Sequence, residues 1–247
     1  MKADSALPGG FVNTVTRVGD TVRRTAGPNA TFVHQLLEHL AAAGWTGAPR
    51  SYGLDAQGRE VLDFVPGRTG VEPAVRAQAG EDQSLVALTR LVRELHDLTA
   101  GTALAEGQEV VCHHDLDPRN TVYQEQDGVL LPVALIDWDL AAPGRRVQDV
   151  ARIVWQFLPL AAGVTDLAGT ARRLRLVADT YGLDDRDQLL PTVLWWQERC
   201  WRGIEAGAAA GQPAMIALRS AGVVTAVREA QAWTQDQRSL LETALTS

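Results

Sequence analysis

Three residues in this chain have the types and spacing of phosphoryl-transfer chemistry. Asp115 and Asn120 lie in Val111-Cys112-His113-His114-Asp115-Leu116-Asp117-Pro118-Arg119-Asn120, and Asp137 closes the next apolar run in Ile136-Asp137-Trp138-Asp139. An Asp followed after four residues by an Asn repeats the spacing of the H-R-D-x-x-x-x-N catalytic loop. There the carboxylate accepts a hydroxyl proton and the amide holds a divalent cation, and Pro118 would stiffen the turn between them. The cation needs a second, anionic ligand. Asp137 supplies it if the chain folds back on itself: 121–123 and 129–136 read as two strands joined across Gln126-Asp127-Gly128, a hairpin that carries Asp137 beside Asn120. An acidic surface loop after a core strand explains one half of this pattern. It does not explain both halves in this order.

The two motifs resemble those of the aminoglycoside phosphotransferase family, the small-molecule branch of the kinase-like fold. Its loop usually reads H-G-D-L-x-P-x-N and its metal aspartate sits in I-D-[FW]-[DEG]; this chain has His114 in place of the glycine. The order of elements matches from Gly9-Gly10 through Asp149-Val150-Ala151, while the C-terminal third lacks family-specific motifs. The resemblance implies an α+β, bilobal protein-kinase-like fold. A small antiparallel-sheet N-lobe would cover 1–66 with the hinge at its end, and a larger, mainly helical C-lobe would cover 67–247. It also implies transfer of the γ-phosphate of ATP or GTP to a substrate hydroxyl with Mg2+, with Asp115 as the catalytic residue and Asn120 and Asp137 as metal ligands.

Upstream elements must present the nucleotide. The stretch from Gly9 to Val18 is glycine-led and rich in β-formers, and Gly19-Asp20 turns it into Thr21-Val22-Arg23-Arg24, a β-hairpin. In the resembled fold such a hairpin covers the phosphates, with Gly10 allowing close backbone approach. The next strand carries arginine where the family usually has lysine. Alternation puts Arg24 on the face of apolar Val22 and Arg23 on that of Thr21, so Arg24 is the expected phosphate-binding residue. Thr31 is the expected cap of a helix with Val33, Leu36, Leu37 and Leu40 on one face. The family's helix donates a glutamate to the basic strand residue. Here that position holds His34 or an apolar neighbour, and the only acid, Glu38, comes a turn later. A second hairpin, 49–54 and 59–65, ends at Pro66-Gly67, where the resemblance places the hinge and brings the main chain of Phe64 and Val65 to the purine edge.

Leu85, Leu88, Leu91, Val92, Leu95 and Leu98 recur at helical spacing from Glu81 to Thr99. His96-Asp97 and His113-His114-Asp115 offer ligands for a rival chemistry, metal-dependent phosphohydrolysis. That rival predicts a mainly helical chain with scattered histidines, against the strand, strand, helix, hairpin order read above. Farther on, 150–160, 169–181, 188–209 and 213–246 read as helices, with Trp155, Trp195, Trp196 and Trp201 in their core. Asp149 is expected to be a buried fastener. Glu198 and Glu205 share a helix face and, like Asp139, could meet a cationic substrate.

Composition narrows the partners. A net charge of −7 over 247 residues leaves no basic field to hold nucleic acid, so the expected partner is a small hydroxylated molecule, neutral or cationic. The chain has two cysteines, no apolar run after Lys2 that would make a signal peptide, and no stretch of membrane-spanning length, which together predict a cytoplasmic protein. A different class remains: a kinase-shaped binding or immunity protein without transfer activity, suggested by the arginine at the lysine position and by the missing helix glutamate.

Overall fold

The computed structural model describes residues 5–6 and 15–246, which cluster in two compact units, Met1–Arg145 and Arg146–Ser247. The expected glycine contact at Gly10 lies outside the described residues.

The first unit opens with strands β1 (Ser5–Ala6), β2 (Thr16–Val18) and β3 (Thr21–Thr25), then helix α1 (Ala30–Ala42), β4 (Ser51–Leu54) and β5 (Arg59–Asp63). These strands form one antiparallel sheet in the order β1-β2-β3-β5-β4. The hairpin expected over 49–65 is present, and the described part of the first, Thr16–Val18 against Thr21–Thr25, turns at Gly19-Asp20; β5 sits in the sheet interior between β3 and its own hairpin partner. The register sets Arg24 opposite Glu60. Helix α1 buries Val33, Leu36, Leu37 and Leu40, each removal from water contributing about 1.5–3 kcal/mol. Its start differs from the expected Thr31 cap. Asn29 is the N-cap residue and makes no side-chain cap bond; its side-chain amide donates to the Ala141 carbonyl at 2.9 Å.

The rest of this unit comprises β6 (Arg68–Thr69), α2 (Pro73–Ala79), α3 (Asp82–Thr99), β7 (Val110–Cys112), β8 (Thr121–Gln126), β9 (Val129–Leu135) and β10 (Ala142–Gly144). The β8–β9 hairpin turns at Asp127-Gly128 as expected, and β6 extends it to three strands. β7 pairs with β10. Helix α3 buries Leu85, Leu88, Val92 and Leu95 and packs on β7 and β9, so the strands flanking the loop rest on a rigid support. β6, α2, β7 and β10 are too short to show a period in the sequence.

The second unit is helical: α4 (Arg146–Phe157), α5 (Leu167–Tyr181), α6 (Leu189–Ala209), α7 (Pro213–Ser220), α8 (Val223–Asp236) and α9 (Arg238–Thr246). The single helical run expected over 213–246 is three helices. Gly222 at φ 80° takes a conformation no helix can continue through, and Gln237 ends α8. Asp149 is fully buried in the first turn of α4. Among the tryptophans expected in the core, Trp196 is buried and donates to the Gln148 carbonyl at 2.9 Å. Trp195 is not: 43% exposed, it meets Trp196 edge-on and lies 5.5 Å from the Arg199 guanidinium. Glu198 and Glu205 pair with Arg202 and Arg219 on the helix surface, 2.7 and 3.7 Å away. None of the helices in the described residues is long and apolar enough to cross a membrane.

Candidate active site

The loop begins where β7 ends. His113 is fully buried against Trp138, with ring centroids 4.6 Å apart. Its Nδ1 accepts from the Asp115 amide at 3.3 Å, so Nε2 carries the proton and donates to the Ile136 carbonyl at 3.1 Å. One ring thus ties the loop to the end of β9. His114 follows at φ 62°, in the left-handed region. The family pattern has glycine there, and the conformation explains why; for a residue with a Cβ it costs about 1 kcal/mol.

Asp117 fastens the middle of the loop. Only 3% exposed, its carboxylate caps the 118–120 turn by accepting from the Arg119 amide at 2.8 Å, and it also accepts from the Arg119 and Arg76 guanidinium groups at 2.9–3.2 Å. Burial alone would raise its pKa, but the Arg119 hydrogen bonds and charge, with Arg76, hold it below the ordinary carboxylate value. Pro118 is gripped from the other side. The Gly70 amide donates to its carbonyl at 2.7 Å, and a Cβ on Gly70 would sit 2.4 Å from the Pro118 Cβ.

The two expected loop residues are joined directly. The Asn120 amide donates to the Asp115 carboxylate at 2.8 Å and to the Asp115 carbonyl at 2.9 Å. Those bonds orient Asn120 and leave its Oδ1 as an acceptor. The Asn120 carbonyl accepts from the Ile136 amide at 2.9 Å, just beyond the Thr121–Leu135 pair of the hairpin. The hairpin therefore sets Asp137 next in the chain to a residue bonded to Asn120, as the sequence predicts. Asp137 has φ 63° and a side chain 44% open to solvent. Partial desolvation, then the charge of Asp139, push its pKa up against the pull of Arg24.

Arg24 reaches the same place from the sheet. The residue is 6% exposed, while Arg23, on the opposite face, lies 3.7 Å from Asp55. Every nitrogen of the Arg24 fork faces an acid: Nε lies 2.7 Å from Glu60, Nη1 donates to Asp137 at 3.1 Å, and Nη2 donates to Asp139. Burial would lower the Arg24 pKa; Asp139, Glu60 and Asp137 outweigh it and hold the guanidinium above its ordinary value. The other Glu60 oxygen meets His34 Nε2 at 2.9 Å. The acid partner of the basic strand residue thus comes from β5, and α1 contributes the histidine behind it.

Phe64 and Val65 follow directly on β5. The Phe64 amide donates to the Asp20 carbonyl at 2.9 Å, and Arg17 lies 3.6 Å over the Phe64 ring. Two residues of the cluster, Glu60 and Asp117, were not singled out from the sequence. An arginine and a glutamate in neighbouring β-rich stretches is a signal for the first only once the strand order is known. The second stood inside the loop motif at an unspecified position. Elsewhere, His39 meets the Leu98 carbonyl at 2.8 Å.

The donor set fits a hard divalent cation. Asn120 Oδ1 and the Asp137 carboxylate are oxygen ligands of the kind Mg2+ prefers, and the solvent-open side of Asp137 leaves room for water or phosphate oxygens.

Comparison with known proteins bears on the family and the fold. The phosphotransferase enzyme family matches residues 73–191, which include Asp115, Asn120 and Asp137. The chain is 33% identical over 211 residues to the trifolitoxin immunity protein of Rhizobium leguminosarum bv. trifolii, covering 76% of this chain and 77% of that protein. It is 29% identical over 155 residues to the viomycin phosphotransferase of Streptomyces vinaceus, covering 60% of this chain and 50% of that one. Among solved structures, an ethanolamine kinase from Plasmodium vivax superposes with a TM-score of 0.63 at 12% identity, over 92% of this chain and 83% of that one. The GDP complex of aminoglycoside 2'-phosphotransferase-IIIa superposes with a TM-score of 0.61 at 15% identity, over 94% and 93%. The fold is therefore the kinase-like α+β fold, and the chain belongs to the phosphotransferase enzyme family.

Proposed function

We propose that this protein moves the γ-phosphoryl group of ATP or GTP to a hydroxyl of a small molecule, and that the transfer confers immunity by modifying a toxic compound. The observation that carries the reading is the bonded set Asp115–Asn120, held by one backbone bond against the strand end that bears Asp137. The relatives supply the context: one is named for immunity, another for phosphotransfer. A hydroxylated acceptor needs only to present its oxygen to Asp115; a cationic one is favoured by the surrounding carboxylates.

In this reading Asp115 accepts the acceptor's hydroxyl proton as the new O–P bond forms, while the bond from the γ-phosphorus to the bridging oxygen breaks and ADP or GDP leaves. Asn120 keeps Asp115 aimed through its amide. Asn120 Oδ1 and Asp137 would hold Mg2+, which when bound neutralises phosphate charge. Arg24 adds a fixed positive charge, and the Phe64 carbonyl and Val65 main chain meet the purine. The nucleotide lobe would end near residue 66, and nucleoside triphosphate supply favours the cytoplasm. Positioning and electrostatics supply the rate, since phosphoryl transfer asks little covalent work of the protein.

A second reading, immunity by binding without transfer, is favoured by one observation: all three nitrogens of the Arg24 fork already face acids, so phosphates must compete for it. Thermal-shift titrations with ATP and GTP, with and without Mg2+, on wild type and Asp137→Ala separate the two. A ligand at a hundredfold excess over its Kd stabilises by about 2.7 kcal/mol. A Mg2+-dependent shift lost in Asp137→Ala supports transfer, and no shift with either nucleotide overturns it.

A further inference from the structure

We infer that Glu60 is the residue that aims Arg24, performing from strand β5 the task the family pattern gives to a helix glutamate, so that the pair is set by the sheet and not by the position of α1. The inference rests on the nucleotide-site reading above.

Arg24 and Glu60 are register partners on adjacent antiparallel strands. Directly opposed residues project to the same face with Cβ atoms about 4.5–5.5 Å apart, a separation fixed by the backbone ladder. Glu60 is fully buried, and a buried carboxylate persists only where partners replace its water. It has one for each oxygen, Arg24 Nε at 2.7 Å and His34 Nε2 at 2.9 Å. The Glu60 charge draws Nε toward β5, while Nη1 and Nη2 turn to Asp137 and Asp139. The Nε–Glu60 approach is close but lacks hydrogen-bond alignment, so charge, more than a directed bond, sets the aim. Helix α1 reaches Glu60 through His34 Nε2, 2.9 Å from its second oxygen. A shift of α1 would disturb the support of Glu60 while leaving the Arg24–Glu60 pair in register.

Glu60→Gln keeps the shape and removes the charge. The first readout is the side-chain Nε–H resonance of Arg24 by 15N NMR, assigned by its loss in Arg24→Lys. A displaced Nε–H resonance in Glu60→Gln, with the wild-type position kept in His34→Ala, is the expected result, since that resonance reports the charge set against Nε; an unmoved resonance in Glu60→Gln overturns the inference. The second is the Kd of Mg·ATP and Mg·GTP by calorimetry across a double-mutant cycle. Glu60→Gln and Arg24→Gln should each weaken binding tenfold or more, with the double variant no weaker than Arg24→Gln within twofold, because Glu60 acts through Arg24. Additive losses indicate a merely structural role and overturn the inference. Should Glu60→Gln not fold, Glu60→Asp retains the charge on a shorter stem; a severalfold loss of affinity that disappears in the Arg24→Gln background supports the inference, and wild-type affinity overturns it. If the wild type binds neither nucleotide while the Arg24 Nε–H resonance still depends on Glu60, the phosphotransfer reading fails and the aiming role stands.

Discussion

The fastening of the loop by Asp117 gives a prediction whose size follows from the contacts. Asp117→Asn keeps an acceptor for the Arg119 amide but removes the charge faced by the Arg119 and Arg76 guanidinium groups. A hydrogen bond to a charged group contributes about 1.5–3 kcal/mol, whereas ion pairs with partners as exposed as these contribute about 1 kcal/mol or less. The expected loss is therefore about 2 kcal/mol, and Asp117→Ala, which also removes the cap, should lose about 3 kcal/mol. For a chain of this size 2 kcal/mol lowers Tm by about 4–8 °C. Urea unfolding at neutral pH measures the loss. Acid adds a second signature. The folded-state pKa of Asp117 is depressed by Arg119 and Arg76 against the effect of burial, so its contribution is complete above the unfolded value of about 3.9 and disappears as pH falls through the folded value. The wild type should lose stability below about pH 4 more steeply than Asp117→Asn. Parallel acid profiles together with equal neutral stability would refute the fastening role.

Asp115→Asn should abolish phosphate transfer while keeping Mg·nucleotide affinity within a fewfold, measured by turnover and calorimetry on the same preparation; unchanged turnover removes Asp115 from the catalytic role. His114→Gly should leave stability within about 1 kcal/mol of wild type, because relief at φ 62° offsets the entropy glycine adds to the unfolded chain. His114→Val should lower it, and chemical denaturation of both variants ranks them. Gly70→Ala places a methyl against Pro118 and should destabilise by about 1–3 kcal/mol, with loss of nucleotide-dependent stabilisation if the loop shifts. A wild-type Tm in Gly70→Ala shows that the approach to Pro118 can relax freely.

The distance over which information must travel explains what could be read in the chain. Asp115, Asn120 and Asp137 were legible because a short turn and one hairpin, both local, carry all three. Strand alternation likewise separated Arg24 from Arg23, and burial follows it. Glu60 was not legible, since β5 joins β3 across a helix and a strand, and a one-residue slip in that pairing would point it to the other face. Asp117 needs Arg76, 41 residues away, before its burial makes sense. The Thr31 cap failed for the same reason: Asn29 found its partner at Ala141, 112 residues on. Over 213–246, apolar spacing masked the break at Gly222, a residue that helices tolerate until φ turns positive.

These nonlocal partners change the electrostatic meaning of the site. The sequence suggests one basic residue waiting for phosphate. The structure surrounds that guanidinium with Glu60, Asp137 and Asp139, and places Asp115 on Asn120 close by in the fold. Arg119, whose guanidinium feels the charges of Asp115 and Asp137, adds a second cation, so these four carboxylates still outnumber the guanidinium groups two to one, a balance that disfavours a polyanion. Under the proposed function, nucleotide must then arrive with its metal, because the divalent charge is needed to offset Asp137 and Asp139 as well as the phosphates. Metal-free nucleotide should bind far more weakly than in a site whose basic residue is free. Under the proposed function the same excess of carboxylate would attract a cationic acceptor, so a single feature, the saturated Arg24 fork, would make nucleotide entry metal-dependent and favour positively charged substrates.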